Sequence, residues 1–221
     1  MSLIQSILNI ILHLSPTTLG QFMHNYGVFA YIVVFLIIFC ETGLVVTPFL
    51  PGDSLIFALG ALAALGVLNW PTLIMLIFAA VLGNMLNYQI GKFLSVKVKS
   101  RQKIRFIKME YIDDTHKYFE KYGPATIIIT RFMPIIRTFA PFVAGVGEMP
   151  YLKFFIYNFI GGTLWASFFF VCGFSFGKIP AVSEHFTTII GAIVLVSVMP
   201  AVIIFFIKRF KKNTTAKTPE E

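Results

Sequence analysis

Lysine and arginine are absent from the first 91 residues of this chain, and this absence limits what the chain can fold into. All 18 basic residues follow Gly91, and the only acids before that point are Glu41 and Asp53. The chain is 57% hydrophobic and 13% charged, whereas soluble domains carry about 25% charged residues. Segregated positive charge is typical of a membrane protein and not of a uniformly basic nucleic-acid-binding protein. We therefore expect an all-α integral membrane protein with no nucleic-acid partner.

Four apolar segments are long enough to cross a membrane, since a hydrocarbon core of about 30 Å needs about 20 helical residues. They are residues 26–46, 71–93, 151–177 and 187–207. Before them, residues 3–14 place their polar side chains on one helical face, which predicts an N-terminal amphipathic helix at the interface within residues 1–25. Residues 20–25 are interpreted as a connector. The basic tail, 209–221, is predicted to be disordered.

Two further apolar segments, residues 47–66 and 125–149, are broken within the membrane. The residues that break them are Pro48, Pro51, Gly52, Pro134, Pro141, Gly145 and Gly147. Because neither fragment of a broken segment is long enough to cross, a re-entrant helical hairpin is the simplest interpretation of each segment.

Charge distribution predicts the side on which the second hairpin opens. The basic loop 92–123 and the basic C-terminal tail should both face the cytoplasm, so an even number of crossings separates them. Residues 151–177 and 187–207 supply two crossings, so residues 125–149 must enter and leave on the same side. Symmetry with the first half then predicts two opposed hairpins in an inverted repeat, as in transporters with broken helices.

Four charged side chains lie inside these apolar segments and away from their ends: Glu41, Asp53, Arg131 and Arg137. A charge at the centre of a membrane helix costs about 2.5–3.5 kcal/mol on insertion scales, so such residues usually have partners and functions. We expect the four to meet in a near-neutral cluster.

Two polar stripes accompany the charged residues. Asn84, Asn87 and Tyr88 share one helical face, and Asn158 and Trp165 share another. Each stripe is compatible with a cavity wall or with hydrogen bonding between helices.

Arginine and carboxylate side chains together suggest a transport site. Arginine forks suit bidentate phosphate binding, and a carboxylic acid in a low-dielectric site binds a proton more readily than one in water. One hypothesis is therefore a proton-coupled site for an anionic lipid headgroup, in which protonation of Glu41 or Asp53 frees the arginines. The alternatives are a static salt-bridge cluster in an assembly protein and a proton-coupled small-ion transporter.

An enzyme is not expected. The histidines and cysteines do not converge with a nucleophile or form a metal-ligand set by their spacing. They are His13, His24, His116, His185, Cys40 and Cys172. No catalytic residue, metal or other cofactor is predicted.

Two motifs resemble the signatures of the bacterial DedA family. They are FCETGLVVTPFLPGDS at residues 39–54 and RFxPxxRTFAPFVAG at residues 131–145, the latter followed by Asn158 and Gly161. The resemblance implies one transmembrane domain of the VTT type, residues 26–208, related to eukaryotic SNARE-associated Golgi proteins, in the bacterial inner membrane. It also implies two opposed re-entrant hairpins.

The same resemblance implies movement of lipids between leaflets by a flippase or scramblase. Undecaprenyl phosphate is one such lipid, and some family members depend on the proton-motive force. The acids and arginines important in the family correspond to Glu41, Asp53, Arg131 and Arg137. The implied partners are membrane lipids and protons, and a homo-oligomer is compatible with the sequence.

Overall fold

The computed structural model describes residues 16–44, 52–96, 109–133 and 136–179, and helices joined by turns account for most of them. The helices are α1 (Pro16–Tyr26), α2 (Val28–Gly43), α3 (Gly52–Ala64), α4 (Pro71–Phe93), α5 (Met109–Tyr122), α6 (Thr126–Ile129), α7 (Ile136–Val146) and α8 (Tyr151–Gly177). Short 3-10 turns at Gly123–Ala125 and Thr130–Phe132 flank α6. The described residues contain no strand, in agreement with the predicted all-α class.

Helices α4 and α8 are the two described helices that are long and apolar enough to cross a membrane, with mean hydropathies of 1.7 and 1.6. Helix α4 has Pro71 in its first turn, where a missing N–H costs nothing. The chain is thus a helical protein with membrane-spanning character. The predicted span at 187–207 lies outside the described residues, as do residues 3–14 and the tail at 209–221.

The helix observed in the first predicted span, residues 26–46, is shorter than that span. Helix α2 has 16 residues, or about 24 Å at 1.5 Å per residue. Gly27, with φ of 49°, separates it from α1. The interpretation of residues 20–25 as a connector was wrong, because these residues belong to α1. Leu19, Phe22 and Met23, spaced i, i+3 and i+4, are buried in the core, and this spacing outweighs the single helix-weakening Gly20.

The loop at residues 92–123 contains an amphipathic helix, α5. Helix α5 ends at Tyr122, and Gly123 follows with φ of 57°. Glycine adopts this left-handed conformation without a steric penalty, and Pro124 then prevents the helix from continuing.

The short helices α3 and α7 are enclosed by protein. Every residue from 52 to 62 in α3 is buried, and so is every residue from 138 to 146 in α7. Helix α3 packs mainly on α8, and α7 packs mainly on α4. Each is the arm that follows a predicted break, and interrupted backbone at membrane depth is tolerated where protein buries it. Residues 45–51 and 134–135, which precede these arms, lie outside the described residues.

Pro141 does not interrupt the helix, contrary to the sequence interpretation. It lies inside α7. A proline removes one hydrogen bond and disturbs the carbonyl groups of the preceding turn. In this protein the side-chain amide of Asn87 donates to the Thr138 carbonyl at 2.8 Å, one turn before Pro141. This bond joins α4 to the turn of α7 that precedes the proline.

Glycines allow both enclosed helices to approach their neighbours closely. At each crossing, a glycine of one helix lies against the carbonyl of the residue three positions before the glycine of the other helix. The glycine and carbonyl residues are Gly60 with Phe170, Gly173 with Phe57, Gly91 with Phe142, and Gly145 with Tyr88. The α3–α8 and α4–α7 crossings are therefore built in the same way. Gly177, four residues after Gly173 in α8, also packs on α3, against Ala61.

Replacing Gly60 or Gly91 with alanine should lower the melting temperature of the protein in detergent. An added β-carbon would overlap a backbone carbonyl that cannot move aside, and overpacking typically costs about 1–3 kcal/mol. Gly20→Ala is the matched control, because its β-carbon would lie 3.5 Å from Leu62 in an ordinary contact. If all three variants melted at the wild-type temperature, the helices would not approach each other as closely at these crossings as the structure shows.

Candidate functional site

Arg137 is bound by two buried carboxylates that come from different helices. Its Nη1 atom donates to Asp53 Oδ1 at 2.7 Å, and its Nη2 atom donates to Glu41 Oε1. The side chain of Glu41 is 1% exposed, that of Asp53 is 9% exposed and that of Arg137 is 15% exposed. Both terminal nitrogens of the guanidinium group are thus occupied by ion pairs with little access to solvent.

The three charged residues lie near the ends of the helices that carry them. Glu41 is in the last turn of α2, Asp53 is the second residue of α3, and Arg137 is the second residue of α7. The N-terminus of α3 favours the nearby carboxylates through the helix dipole. Arg137 lies at the N-terminus of α7, where the dipole disfavours a cation, so the two carboxylates offset both the charge and the dipole.

Gly52 allows the carboxylate of Glu41 to reach the start of α3. A β-carbon at position 52 would overlap Glu41 Oε2, so no other residue fits there without moving the acid. The sequence interpretation gave Gly52 only the role of a helix breaker, whereas the structure shows that it also makes room for a charged group.

Gly52→Ala should therefore displace Glu41, break its pair with Arg137 and lower the melting temperature. The expected cost is about 1–3 kcal/mol for a steric overlap in a packed site. Thermal unfolding in detergent, again with Gly20→Ala as control, measures this loss. An unchanged melting temperature for Gly52→Ala would mean that the Glu41 carboxylate does not occupy this position.

Arg131 lies in the same region but has different partners. Its Nη2 atom donates to Asn158 Oδ1 at 2.6 Å, and the side chain lies against Gly161 and Gly162 of α8. A β-carbon at Gly161 would be 3.2 Å from Arg131 Cδ, so the two glycines form a notch for the arginine. Among the described residues, no carboxylate forms an ion pair with Arg131, and its Nε atom has no hydrogen-bond partner.

Asn84 completes the surroundings of Arg131. Its hydrogen-bonding neighbours favour the amide orientation in which Oδ1 accepts from Arg131 Nη2 at 2.8 Å and the nitrogen donates to the Thr42 carbonyl at 3.1 Å. The nitrogen of Asn158 donates to the Val81 carbonyl at 3.0 Å. Two neutral amides, each anchored to a helix backbone, thus hold the guanidinium group.

Trp165 of α8 connects the two arginine environments. Its indole N–H donates to Asp53 Oδ1 at 3.0 Å, so this oxygen accepts from both Trp165 and Arg137. The Cζ atoms of Arg131 and Arg137 lie 5.9 and 5.8 Å from the indole ring centroid, within the range of cation–π attraction.

A small cavity lies between these groups. It has a volume of about 20 Å³, which is room for about one water molecule. Its walls are formed by Glu41, Thr42, Asn84, Arg131, Arg137, Thr138 and Trp165. A phosphate group does not fit in this volume.

The structure brings Glu41, Asp53, Arg131 and Arg137 together around Trp165, as the sequence led us to expect. The two polar stripes divide between the roles considered for them. Asn84 and Trp165 line the cavity, and Asn158 lies behind Arg131. Asn87 joins α4 to the Thr138 carbonyl of α7, and the Tyr88 hydroxyl donates to the Met149 carbonyl.

Thr42 and Thr138 are cavity residues that sequence reasoning missed. Each directly follows a charged residue that was identified, Glu41 or Arg137. That adjacency was the available signal.

Comparison with known proteins places the chain among membrane proteins of one family. The VTT domain family matches residues 50–175. Protein DedA of Escherichia coli is 47% identical over 206 residues, covering 92% of this chain and 94% of that protein. An uncharacterised membrane protein of Mycobacterium leprae is 38% identical, covering 83% and 82%. Inner membrane protein YqjA of Escherichia coli is 31% identical, covering 80% and 79%. No solved structure matches the chain.

Proposed function

Because this chain belongs to the DedA family of VTT-domain membrane proteins, we propose that it moves an anionic lipid between the leaflets of a membrane. The observation that carries the proposal is a buried charged cluster: Glu41, Arg131 and Arg137 line one cavity, and Asp53 forms an ion pair with Arg137. Buried charges inside a membrane protein are expensive, so a site that retains four of them is a candidate substrate or ion pathway. Undecaprenyl phosphate and phospholipids are the proposed substrates.

The proposed topology has two opposed re-entrant hairpins in an inverted repeat, with the loop at residues 92–123 on the cytoplasmic side. The similar glycine crossings of α3 with α8 and of α7 with α4 support this symmetry. We also propose that the protein lies in the bacterial inner membrane, as its relative, inner membrane protein YqjA, does by name.

Transport requires the closed site to open, because the cavity has room for about one water molecule. Protonation of Glu41 or Asp53 neutralises one of the two carboxylates paired with Arg137. The contact between α2, α3 and α7 then loosens. The arginines then bind the phosphate of the headgroup, and loss of the proton restores the ion pairs and releases the lipid. The membrane-embedded carboxylates thus couple lipid movement to protons.

A proton-coupled small-ion transporter is the second candidate, and the water-sized cavity favours it. The arginines would then hold the acids in place and would not bind a lipid. A static cluster in an assembly protein is the third. We do not propose an enzymatic activity.

Leaflet exchange in proteoliposomes tests the proposal. Fluorescent undecaprenyl phosphate and fluorescent phosphatidylethanolamine are placed in liposomes with and without the protein, and with and without a pH gradient. We expect the protein to accelerate exchange of at least one lipid, with the faster lipid identifying the substrate class. Folded protein that accelerates neither lipid would favour ion transport or assembly.

Glu41→Gln should flatten the dependence of exchange on pH. The variant resembles the protonated acid at every pH, so Arg137 no longer loses and regains this partner as the pH changes. The rate of exchange is measured between pH 5.5 and 8, with wild type as reference. A variant with the wild-type pH profile would mean that Glu41 does not carry the coupled proton.

A further inference from the structure

The geometry points to different roles for the two arginines: Arg131 binds the phosphate group, and Arg137 forms the ion pairs with the proton-carrying acids. Asn158 is the positioning residue that holds Arg131 for this role. The inference rests on the proposed function, because it assigns the parts of that same site.

In the closed state both terminal nitrogens of Arg137 already have carboxylate partners. A third donor, Trp165, shares the same Asp53 oxygen. The triad of Glu41, Asp53 and Arg137 carries a formal charge of −1 with both acids ionised, which repels an anion. Phosphate binding at Arg137 would require at least one of these pairs to break.

Arg131, in contrast, has no carboxylate partner among the described residues. It is 5% exposed, and among the described residues its partners are neutral amides and carbonyl groups. A buried cation without an ionic partner is costly, and an anion that reaches it removes that cost. Its Nε atom, buried and without a partner in the described part of the chain, remains available as a donor.

The chemistry of these donors selects the ligand class. A guanidinium group with a free Nε and one shared terminal nitrogen offers charge-assisted hydrogen bonds to a phosphate oxygen. Arg131 lines the cavity with Glu41 and Arg137, so an anion admitted when the cavity opens meets a cation that forms no ion pair with any described acid. Once the cavity has opened, these donors suit a phosphate monoester or diester, either free or as a lipid headgroup.

Equilibrium binding to the purified full chain in detergent tests the assignment. The probes are inorganic phosphate and dihexanoyl phosphatidic acid, so that a free anion and a lipid headgroup are distinguished. Asn158→Asp places a carboxylate against Arg131 and should weaken binding at least about tenfold, because the new ion pair competes with the probe. Asn158→Ala loses the bonds to Val81 and to Arg131 but adds no charge, so its affinity should fall less than that of Asn158→Asp.

Equal affinities for the two Asn158 variants, when both are folded, would overturn the assignment. If Asn158→Asp fails to fold, Arg131→Gln and Arg131→Lys decide: lost binding in the first and partial retention in the second support the assignment, whereas unchanged binding in Arg131→Gln overturns it. Glu41→Gln should bind at least as tightly as wild type, and lost binding there would also contradict the assignment. Phosphate binding without lipid exchange would instead refute the lipid substrate and leave Arg131 as an anion site.

Discussion

Replacing Arg137 with alanine should destabilise the protein more than any other single substitution considered for the site. The change leaves the buried carboxylates of Glu41 and Asp53 without the cation that pairs with both of them. Removal of one partner from a buried ion pair costs about 3–5 kcal/mol, since the remaining charge is uncompensated. Thermal unfolding in detergent and the yield of monodisperse protein measure this effect.

A matched rescue separates charge from packing. Adding Glu41→Gln and Asp53→Asn to Arg137→Ala removes the uncompensated acids while keeping nearly the same side-chain volumes. Most of the lost stability should return in this neutral variant. If Arg137→Ala alone were as stable as wild type, the ion pairs would not hold the three helices together.

Arg131→Ala should have the opposite pattern, with a large loss of transport and a small loss of stability. Lipid exchange should fall at least about tenfold, because charge-assisted hydrogen bonds contribute about 1.5–3 kcal/mol and 1.4 kcal/mol is a factor of ten. The fold should survive because no carboxylate in the described part of the chain depends on Arg131. In its absence, Asn84 can turn its amide and donate to Asn158 at 3.0 Å.

Leaflet exchange and thermal unfolding are measured on the same preparation of this variant. Arg131→Lys is the control, since it keeps the charge but loses the fork. An Arg131→Ala protein that exchanges lipid at the wild-type rate would remove this arginine from the transport site.

The charged site could be predicted from sequence because charge is so rare in the first half of the chain. Glu41 and Asp53 are its only acids before Gly91, so a pairing with arginines elsewhere was the simplest expectation. The division of partners could not be predicted. It depends on Arg137 lying in the first turn of α7 between α2 and α3, whereas Arg131 lies in a 3-10 turn beside α8.

Helix ends were predicted well where a local rule decides them and poorly where tertiary contacts do. Pro71 begins α4 and Gly123 follows the end of α5, as their backbone preferences require. Pro141 was read as a break, yet α7 continues through it, packed on α4 and with Asn87 bonded to the turn before the proline. Gly52 was likewise read only as a breaker, because its closeness to Glu41 exists only in the folded protein.

We propose that the buried charged residues form a site for lipid transport and do more than hold helices together. The neutral variant Glu41→Gln/Asp53→Asn/Arg137→Ala tests this claim most directly, because it removes the charges of the triad without leaving an unpaired one. Its stability and its rate of leaflet exchange are measured side by side with wild type in proteoliposomes. We predict a folded protein that no longer exchanges lipid in response to a pH gradient. A folded neutral variant with wild-type exchange would contradict the account and identify the triad as a static structural cluster.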